Sequence, residues 1–565
     1  MIRTTTPLAL AMMLAMPAYA QTATAPTPAT APAAPSAAER NAIINAELPA
    51  DQAALKSHVM FLASDALKGR EAGSNEFNIA AQYVASQFYA AGLKPAGDNG
   101  SYLQNVPLIS AKLDGPGTMS FTRKGAQPVA LEFGKDFVSS ANPETPSYTI
   151  TAPVVFVGYG ITGQGRDDYK GVNVKGKIVA YFGGVPESFP GEVAAHFSNP
   201  AAKSEIAAKH GAVATITLES PRTAKQRPFS FYANAVTRAR FTWGNPNGTG
   251  HIAAPGTPSA GTVSLVGAEK LFAGAKQKWA DIAKAAEADN AVFKAEALPV
   301  TVTVAAKTAL TPVQSYNVAG MLPGSDPTLT KEVVVLSAHL DHIGVGRPDK
   351  TGDTINNGAL DDAVGIASLI EEAKRFKTAG TKPRRSVLFL AVTAEEKGLI
   401  GSDYFANNPT VPLSSIVADV NLDMPIITYK FQDVVVYGAS HSTLGPIVER
   451  AGKAIGVPLS DDPLPGENIF VRSDHYNFVR KGVPSVFLWP GAGGPGRAAI
   501  DDFMKNHYHQ PSDEVGQLPA IDWESGVRFV DVNYRIAREI ADGDQRPLWN
   551  KGDFFGLTYE GPGAK

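Results

Sequence analysis

Along residues 40 to about 108, apolar side chains return at helical steps. Leu55, Val59, Phe61 and Leu62 share one face, and Phe77, Ala81, Val84, Phe88 and Leu93 recur at three- and four-residue spacing, with Gly73 and Gly92 as punctuation. Between 110 and 305 the pattern shortens into β-type runs such as 148–158 and 177–182, broken by Gly, Pro and Asn, with one helix expected over about 201–210. From Ser315 onward the texture changes again. Apolar runs at 333–337, 387–392, 416–422, 434–437 and 486–489 read as buried strands, and periodic stretches at 364–376 and 443–455 read as helices. Near-continuous apolar strands alternating with helices predict an α/β fold: a mostly parallel sheet with helices on both faces. The amphipathic run 523–540 reads as a final covering helix. The expected organisation is a discontinuous domain over 40–109 and 306–545, a β-rich insert over 110–305, and an irregular tail over 546–565.

The N-terminal region carries a different signal. Residues 1–20 combine a basic Arg3, an apolar stretch from 7 to 16, and Ala18 and Ala20 around Tyr19, the pattern of a cleavable signal peptide. The apolar stretch is shorter than the ~20 residues that a bilayer needs, so a membrane anchor is the weaker reading. Export to periplasm or medium is therefore expected, with no membrane span in the mature chain. Residues 21–39 are rich in Ala, Pro and Thr, a composition that reads as a flexible linker.

At 565 residues with 44% apolar content, the chain has ample material for two or three globular domains. A formal net charge of -3 gives no reason to expect a nucleic-acid partner. Cysteine is absent, which removes disulfides, thiolate metal ligands and a cysteine nucleophile. Any metal site must use imidazoles and carboxylates.

In open α/β sheets the chemistry gathers beyond the carboxyl ends of the strands. Polar residues there are Ser337-Ala338-His339-Leu340-Asp341-His342, Asn357-Gly358-Ala359-Leu360-Asp361-Asp362, Thr393-Ala394-Glu395-Glu396, Asn421-Leu422-Asp423-Met424, and His507-Tyr508-His509-Gln510-Pro511-Ser512-Asp513. Each has a plainer reading: His339 as a hydrogen-bonded loop histidine, Asp361 or Asp362 as a helix cap, Glu395 and Glu396 as a solvated acidic turn, and His509 as part of a polar loop. His342 reads as structural. Asp423 is harder to explain without a partner, because a buried carboxylate is costly. Adjacent carboxylates leave an extended chain in different directions, so one glutamate can bind metal while the other handles a proton. Together His339, Asp361, Glu396, Asp423 and His509 offer two imidazoles and three carboxylates, a set suited to zinc and sufficient for two metals sharing one carboxylate.

In this order, HLDH, GALDDAVG, TAEEKG, NLDM and HYHQPSD resemble the zinc aminopeptidases of the M28 family, a likeness that covers about 45–110 and 315–540. The resemblance implies two Zn2+ per chain: Asp361 bridging, His339 and Asp423 on one zinc, Glu396 and His509 on the other. It implies Glu395 as general base, Tyr508 as an oxyanion donor, Asp341 as the group that orients His339, and a cis peptide after Asp361. Leu360 and Val364 depart from the family's polar choices at those positions. The insert, with FVGYGI, DDYKGVNVKGKIV and AAKHGAVATI, resembles a protease-associated (PA) domain bordering the cleft, although a pure packing role serves nearly as well. Asp474 and His475, in Ser473-Asp474-His475-Tyr476, are candidate lining of the substrate pocket or structural residues.

The implied activity is hydrolysis of N-terminal residues from peptide substrates. Its rivals are a carboxypeptidase, with Arg472 or Arg480 receiving the substrate carboxylate, a glutaminyl-cyclase-like enzyme on the same fold, and a non-catalytic receptor or scaffold. A serine hydrolase is disfavoured because no G-x-S-x-G elbow follows a strand.

Overall fold

The computed structural model describes residues 36–565 except 190, 289, 290 and 518, so the expected signal peptide and most of the expected linker lie outside the described residues. The linker reading ends early: Ser36 caps a helix, Ala37–Ile44, through a reciprocal bond pair with Glu39. Among the described residues no helix is long and apolar enough to cross a membrane.

The centre of the molecule is a mixed sheet. Val333–His339 pairs in parallel with Ser386–Val392 on one side and Ile416–Asn421 on the other, and Ile416–Asn421 pairs in parallel with Ser485–Pro490. Antiparallel strands close both flanks, Val434–Tyr437 against Ser485–Pro490 and the long Glu296–Leu322 against Ser386–Val392. Every residue of the four parallel strands is buried, which is why their sequences are apolar runs and not alternations. Successive side chains divide between the two faces. Val334 and Leu336 join the large cluster beneath the helices Ala50–Leu62, Val364–Thr378 and Trp523–Asp542, whereas Val333 and Val335 pack with Phe405 and Phe478 on the opposite side.

A second apolar cluster lies within 119–304, around parallel pairings of Ile178–Phe182 with Ser147–Phe156 and with Ala214–Leu218. This region holds more helix than its sequence suggested. Besides Pro200–Lys209 there are Gly191–Ser198, Pro221–Gln226, Phe229–Ala235, Leu265–Phe272 and Trp279–Ala285, all short segments whose weak periodicity is lost among Gly and Pro. Glu296–Leu322 runs through both regions, pairing with Ser147–Phe156 at one end and with Ser386–Val392 at the other. The expected boundary at 305/306 therefore falls inside one continuous strand. Likewise Leu103–Leu113, at the end of the expected helical stretch, is a strand paired antiparallel along Glu296–Leu322.

The expected irregular tail is largely without regular structure but is anchored in the core. Phe554–Thr558 is helical, and Trp549, Phe555 and Ala564 are buried in the large cluster, with the Trp549 indole donating to the Gly482 carbonyl at 2.7 Å. Its few anchors are too sparse to make a period.

Candidate metal centre

The parallel strands deliver their polar exits to one place. His339 ends its strand, Glu395 and Glu396 follow Ser386–Val392 by three and four residues, and Asp423 follows Ile416–Asn421 by two. Asp361 comes from the turn Ala359–Ala363 that opens the helix Val364–Thr378, and His509 comes from the loop after the helix Gly496–Asn506. Ala394, Met424 and His509 all have positive φ (55°, 45° and 58°), an arrangement that costs of order 1–3 kcal/mol per residue and is tolerated where surrounding structure enforces it. The Asp361–Asp362 peptide is cis.

The five candidates converge on Asp361. Its Oδ1 lies 3.1 Å from His339 Nε2, which is 3.2 Å from Asp423 Oδ1. Its Oδ2 lies 3.3 Å from His509 Nε2, which is 3.0 Å from Glu396 Oε2. One carboxylate thus faces two separate nests of donor atoms. Electrostatics follow from that crowding. Burial raises the Asp361 carboxyl, but His342, His339 and His509 outweigh it and hold the group well below the usual carboxylate range. Burial and Asp361 push Glu396 up, and His342 and His509 pull it down to about 2. Burial lowers His339 and His509, yet the surrounding carboxylates raise His339 well above its ordinary value and His509 to about 10. The cluster draws in positive charge, as a cation site should.

Glu395 sits apart from this ligand set. Burial raises its carboxyl well above the usual range, aided by Glu396, Asp423 and Asp474 and opposed by His339. Tyr508 stacks on His509 with ring centroids 3.9 Å apart, and its hydroxyl is 3.5 Å from an Arg472 nitrogen. Burial, then Asp361 and Glu396, raise the phenol, so it keeps its proton. A cleft of about 380 Å³ exposes Glu395, Tyr508, Arg472 and Ser473 together with an apolar wall of Met424, Ile469, Phe487, Trp489 and Met504. None of those lining residues comes from 110–305. The insert touches the wall at one remove: His196 Nδ1 is 2.6 Å from the Tyr476 hydroxyl, Trp243 donates to Asp403 at 2.6 Å, and Arg480 donates to Glu205 at 2.7 Å.

Two expectations need correction. Asp341 does meet His339, but through its backbone carbonyl, 3.0 Å from Nδ1; its carboxylate instead accepts from the Glu395 backbone at 3.0 Å. The ring is met by the Asp341 carbonyl, and the Asp341 carboxylate is engaged by the Glu395 amide. Asp474 and His475 are fully buried and do not line the cleft. Asp474 accepts from Ser402 Oγ at 2.5 Å, and His475 packs between Phe470 and Phe487, because the short helix His475–Val479 turns both side chains away from the opening. Their neighbour Ser473 is the one that reaches the site, donating to Asp423 Oδ2 at 2.5 Å.

Three further residues had no site role in the sequence reading, in which His342 was structural. Arg70, from the helical N-terminal segment, is buried and donates to the carbonyls of Leu62, Leu340, Asn357 and Gly358, tying the loops that carry His339 and Asp361 to the Ala50–Leu62 helix. Asp513 accepts from the backbone amides of Leu360 and Asp361 at 2.9 and 3.0 Å and so fixes the central carboxylate. His342 brings Nδ1 to 2.7 Å from Glu396 Oε1. The Asp513 spacing within HYHQPSD was a usable signal; nothing in the local pattern marked Arg70. Leu360 and Val364, the two departures from the family pattern, are simply part of the apolar cluster.

Residues 317–536 match the profile of peptidase family M28. Over this segment the chain is similar to that family. The chain is 31% identical over 182 residues to leupeptin-inactivating enzyme 1 of Streptomyces exfoliatus (31% of this chain, 36% of that protein) and 31% identical over 192 residues to the probable leucine aminopeptidase 2 of Aspergillus oryzae (32% and 34%). The chain thus spans about a third of the length of these curated relatives. Among solved structures, the aminopeptidase from Aneurinibacillus sp. strain AM-1 aligns over 90% of this chain and 97% of its own at 19% identity, with a TM-score of 0.46.

Proposed function

We propose that this chain is an exported, zinc-dependent aminopeptidase of the M28 type that removes N-terminal residues from peptides. The observation that carries the reading is the Asp361 carboxylate set between two nests of ligand atoms, His339 with Asp423 and His509 with Glu396. The donor set fits zinc: imidazole nitrogens and carboxylate oxygens only, with Asp361 Oδ2 and Glu396 Oε1 buried and lacking hydrogen-bond partners. Two Zn2+ held by these five residues would polarise the scissile carbonyl and make an attacking water more acidic.

The chain's own groups then divide the work. Glu395, facing the cleft with no ligand role, takes the proton from water and returns it to the leaving amine. Tyr508, protonated and beside His509, donates toward the developing oxyanion. Ser473 fixes Asp423, the Asp341 carbonyl fixes the His339 ring, and Asp513 fixes the loop of Asp361, the kind of support that such ligands require. The apolar wall receives an uncharged side chain. We read the segments on either side of a PA-type insert as the catalytic domain, with the Glu296–Leu322 strand shared between the two and residues 546–565 packed on the catalytic core; the insert buttresses the cleft without lining it. The Arg3, apolar and Ala-x-Ala features of residues 1–20 support export.

The test is hydrolysis of aminoacyl-arylamides beside N-acetylated and C-terminal-probe peptides, with zinc counted per chain. Release from free N-termini only, lost on chelation and restored by zinc, is expected; cleavage of blocked peptides would instead favour the carboxypeptidase reading, in which Arg472 holds the substrate carboxylate. Glu395→Gln should lower kcat by about 10²–10⁴ with zinc content unchanged.

A further inference from the structure

His342 stands three residues beyond His339 and looks, by sequence, like an ordinary histidine of a turn. Its environment is not ordinary. The side chain is fully buried, and neither ring nitrogen has a hydrogen-bond partner. Nδ1 lies 2.7 Å from Glu396 Oε1 and 3.7 Å from Asp361 Oδ2, and both of those oxygens are themselves buried without partners. Three orphaned ligand-type atoms on three different segments therefore point at one small volume. Buried polar atoms are nearly always satisfied, so one isolated orphan calls for an explanation and three that converge call for a common one.

A simple ion pair is a poor explanation. An imidazolium bonded to Glu396 would aim its N–H along the line to the oxygen, yet at 2.7 Å the two atoms do not meet in hydrogen-bond geometry. A cation between them resolves all three at once. Atoms bound tetrahedrally to zinc at ~2.0–2.1 Å stand roughly 3.3 Å from one another. The observed 2.7 and 3.7 Å separations bracket that value.

The ring is also held in place by its surroundings. The His342 amide donates to the Arg70 carbonyl at 3.3 Å, and the ring rests on Gly358, where a Cβ would come within 2.6 Å of His342 Cγ. Gly358 has φ 61°, so the chain uses glycine there both for its backbone and for the room it leaves the imidazole.

Resting on the two-metal reading above, we propose that His342 is an additional protein ligand of the Glu396–His509 metal, through Nδ1. That metal would then be held by His342, His509, Glu396 and Asp361, against His339, Asp423 and Asp361 for the other. His509, whose side chain is 35% exposed at the mouth of the cleft, supplies the outer imidazole and His342 the inner one. The two sites become unequal: the His339–Asp423 metal keeps more open positions and leaves first on dilution into chelator.

The experiment is zinc binding by the full chain, read by stoichiometry, competition with a chelating dye, and zinc X-ray absorption. In the wild type, three imidazoles over two zincs give an average of about 1.5 per metal, where His339 and His509 alone would give about 1. His342→Phe keeps a ring on Gly358 without nitrogen, and His342→Ala removes any risk of a clash. Both are expected to weaken one zinc at least about 100-fold and to bring the imidazole average to about 1, while His509→Ala still holds two zincs at saturation and the His342→Phe/His509→Ala double variant holds one. Folded His342 variants that bind two zincs with wild-type affinity and an unchanged imidazole average would overturn the proposal and leave the two-metal reading standing. A wild type that binds fewer than two zincs would overturn both.

Discussion

Replacing Arg70 should unfasten the site without touching a single ligand. Its guanidinium, 1% exposed, spends its donors on four carbonyls: Leu62 at 2.7 Å, Asn357 at 2.5 Å, Leu340 at 3.0 Å and Gly358 at 3.1 Å. The same charge sits among the buried carboxylates of Asp361, Asp513, Asp341 and Asp362. Hydrogen bonds to a charged group are worth about 1.5–3 kcal/mol each, but four bonds from one side chain are not additive. Breaking a buried charge network by removing one partner costs about 3–5 kcal/mol, and that is the magnitude expected for Arg70→Met. Arg70→Lys keeps the charge but offers a compact ammonium that cannot span four carbonyls, so roughly half the loss should remain. Urea unfolding gives the stability change, and amide exchange reports whether the segments after His339 and around Asn357 open first. A loss under about 1 kcal/mol for Arg70→Met, with exchange at those segments unchanged, would refute the idea that Arg70 is the clamp on these loops.

Three other outcomes follow from particular contacts. Asp513→Asn leaves one acceptor oxygen for two amides, Leu360 and Asp361, so zinc affinity should fall about 10–100-fold by dye competition, with a modest stability loss. His441 joins the Gly191–Ser198 helix to the C-terminal segment by bonding Glu192 and Asp553; burial lowers its pKa, but those two carboxylates outweigh burial and raise it to about 9 from 6.5. A histidine raised in the folded state stabilises fully below its unfolded pKa, so this contribution, at most about 3 kcal/mol, should be intact below pH ~6.5 and disappear as the pH rises through about 9, a trend that His441→Gln should abolish in pH-dependent melting. Trp549→Ala, which empties a buried site and strips the Gly482 carbonyl of its donor, should cost about 3–5 kcal/mol in urea unfolding, whereas a dispensable tail would lose nothing.

How far the sequence could be read depended on whether a residue's partners were near it in the chain. The parallel strands were legible because full burial on both faces forces uninterrupted apolar runs, and three of the five candidate ligands, His339, Glu396 and Asp423, were legible because each sits within four residues of such a run; Asp361 and His509, from a helix-opening turn and a loop, were legible only through the family resemblance. The insert's short helices and the buried C-terminal segment were not, because a helix of six or seven residues shows barely two turns of period and Trp549 makes its contact 67 residues away at Gly482. The misplacement of Asp474 and His475 has the same origin: the motif identified the right segment, but which of three consecutive side chains enters the cleft is decided by how the His475–Val479 helix starts, and Ser473 wins. Arg70 and His342 are the extreme case. Arg70 lies more than 260 residues before the loops it holds, and His342 meets Glu396 and Asp361 only when they arrive from other segments of the chain. Candidate ligands at a strand exit announce themselves because chemistry dictates their residue type there; the groups that hold them answer only to three-dimensional proximity, where an arginine or a second histidine differs from its commonplace counterparts by the company it keeps.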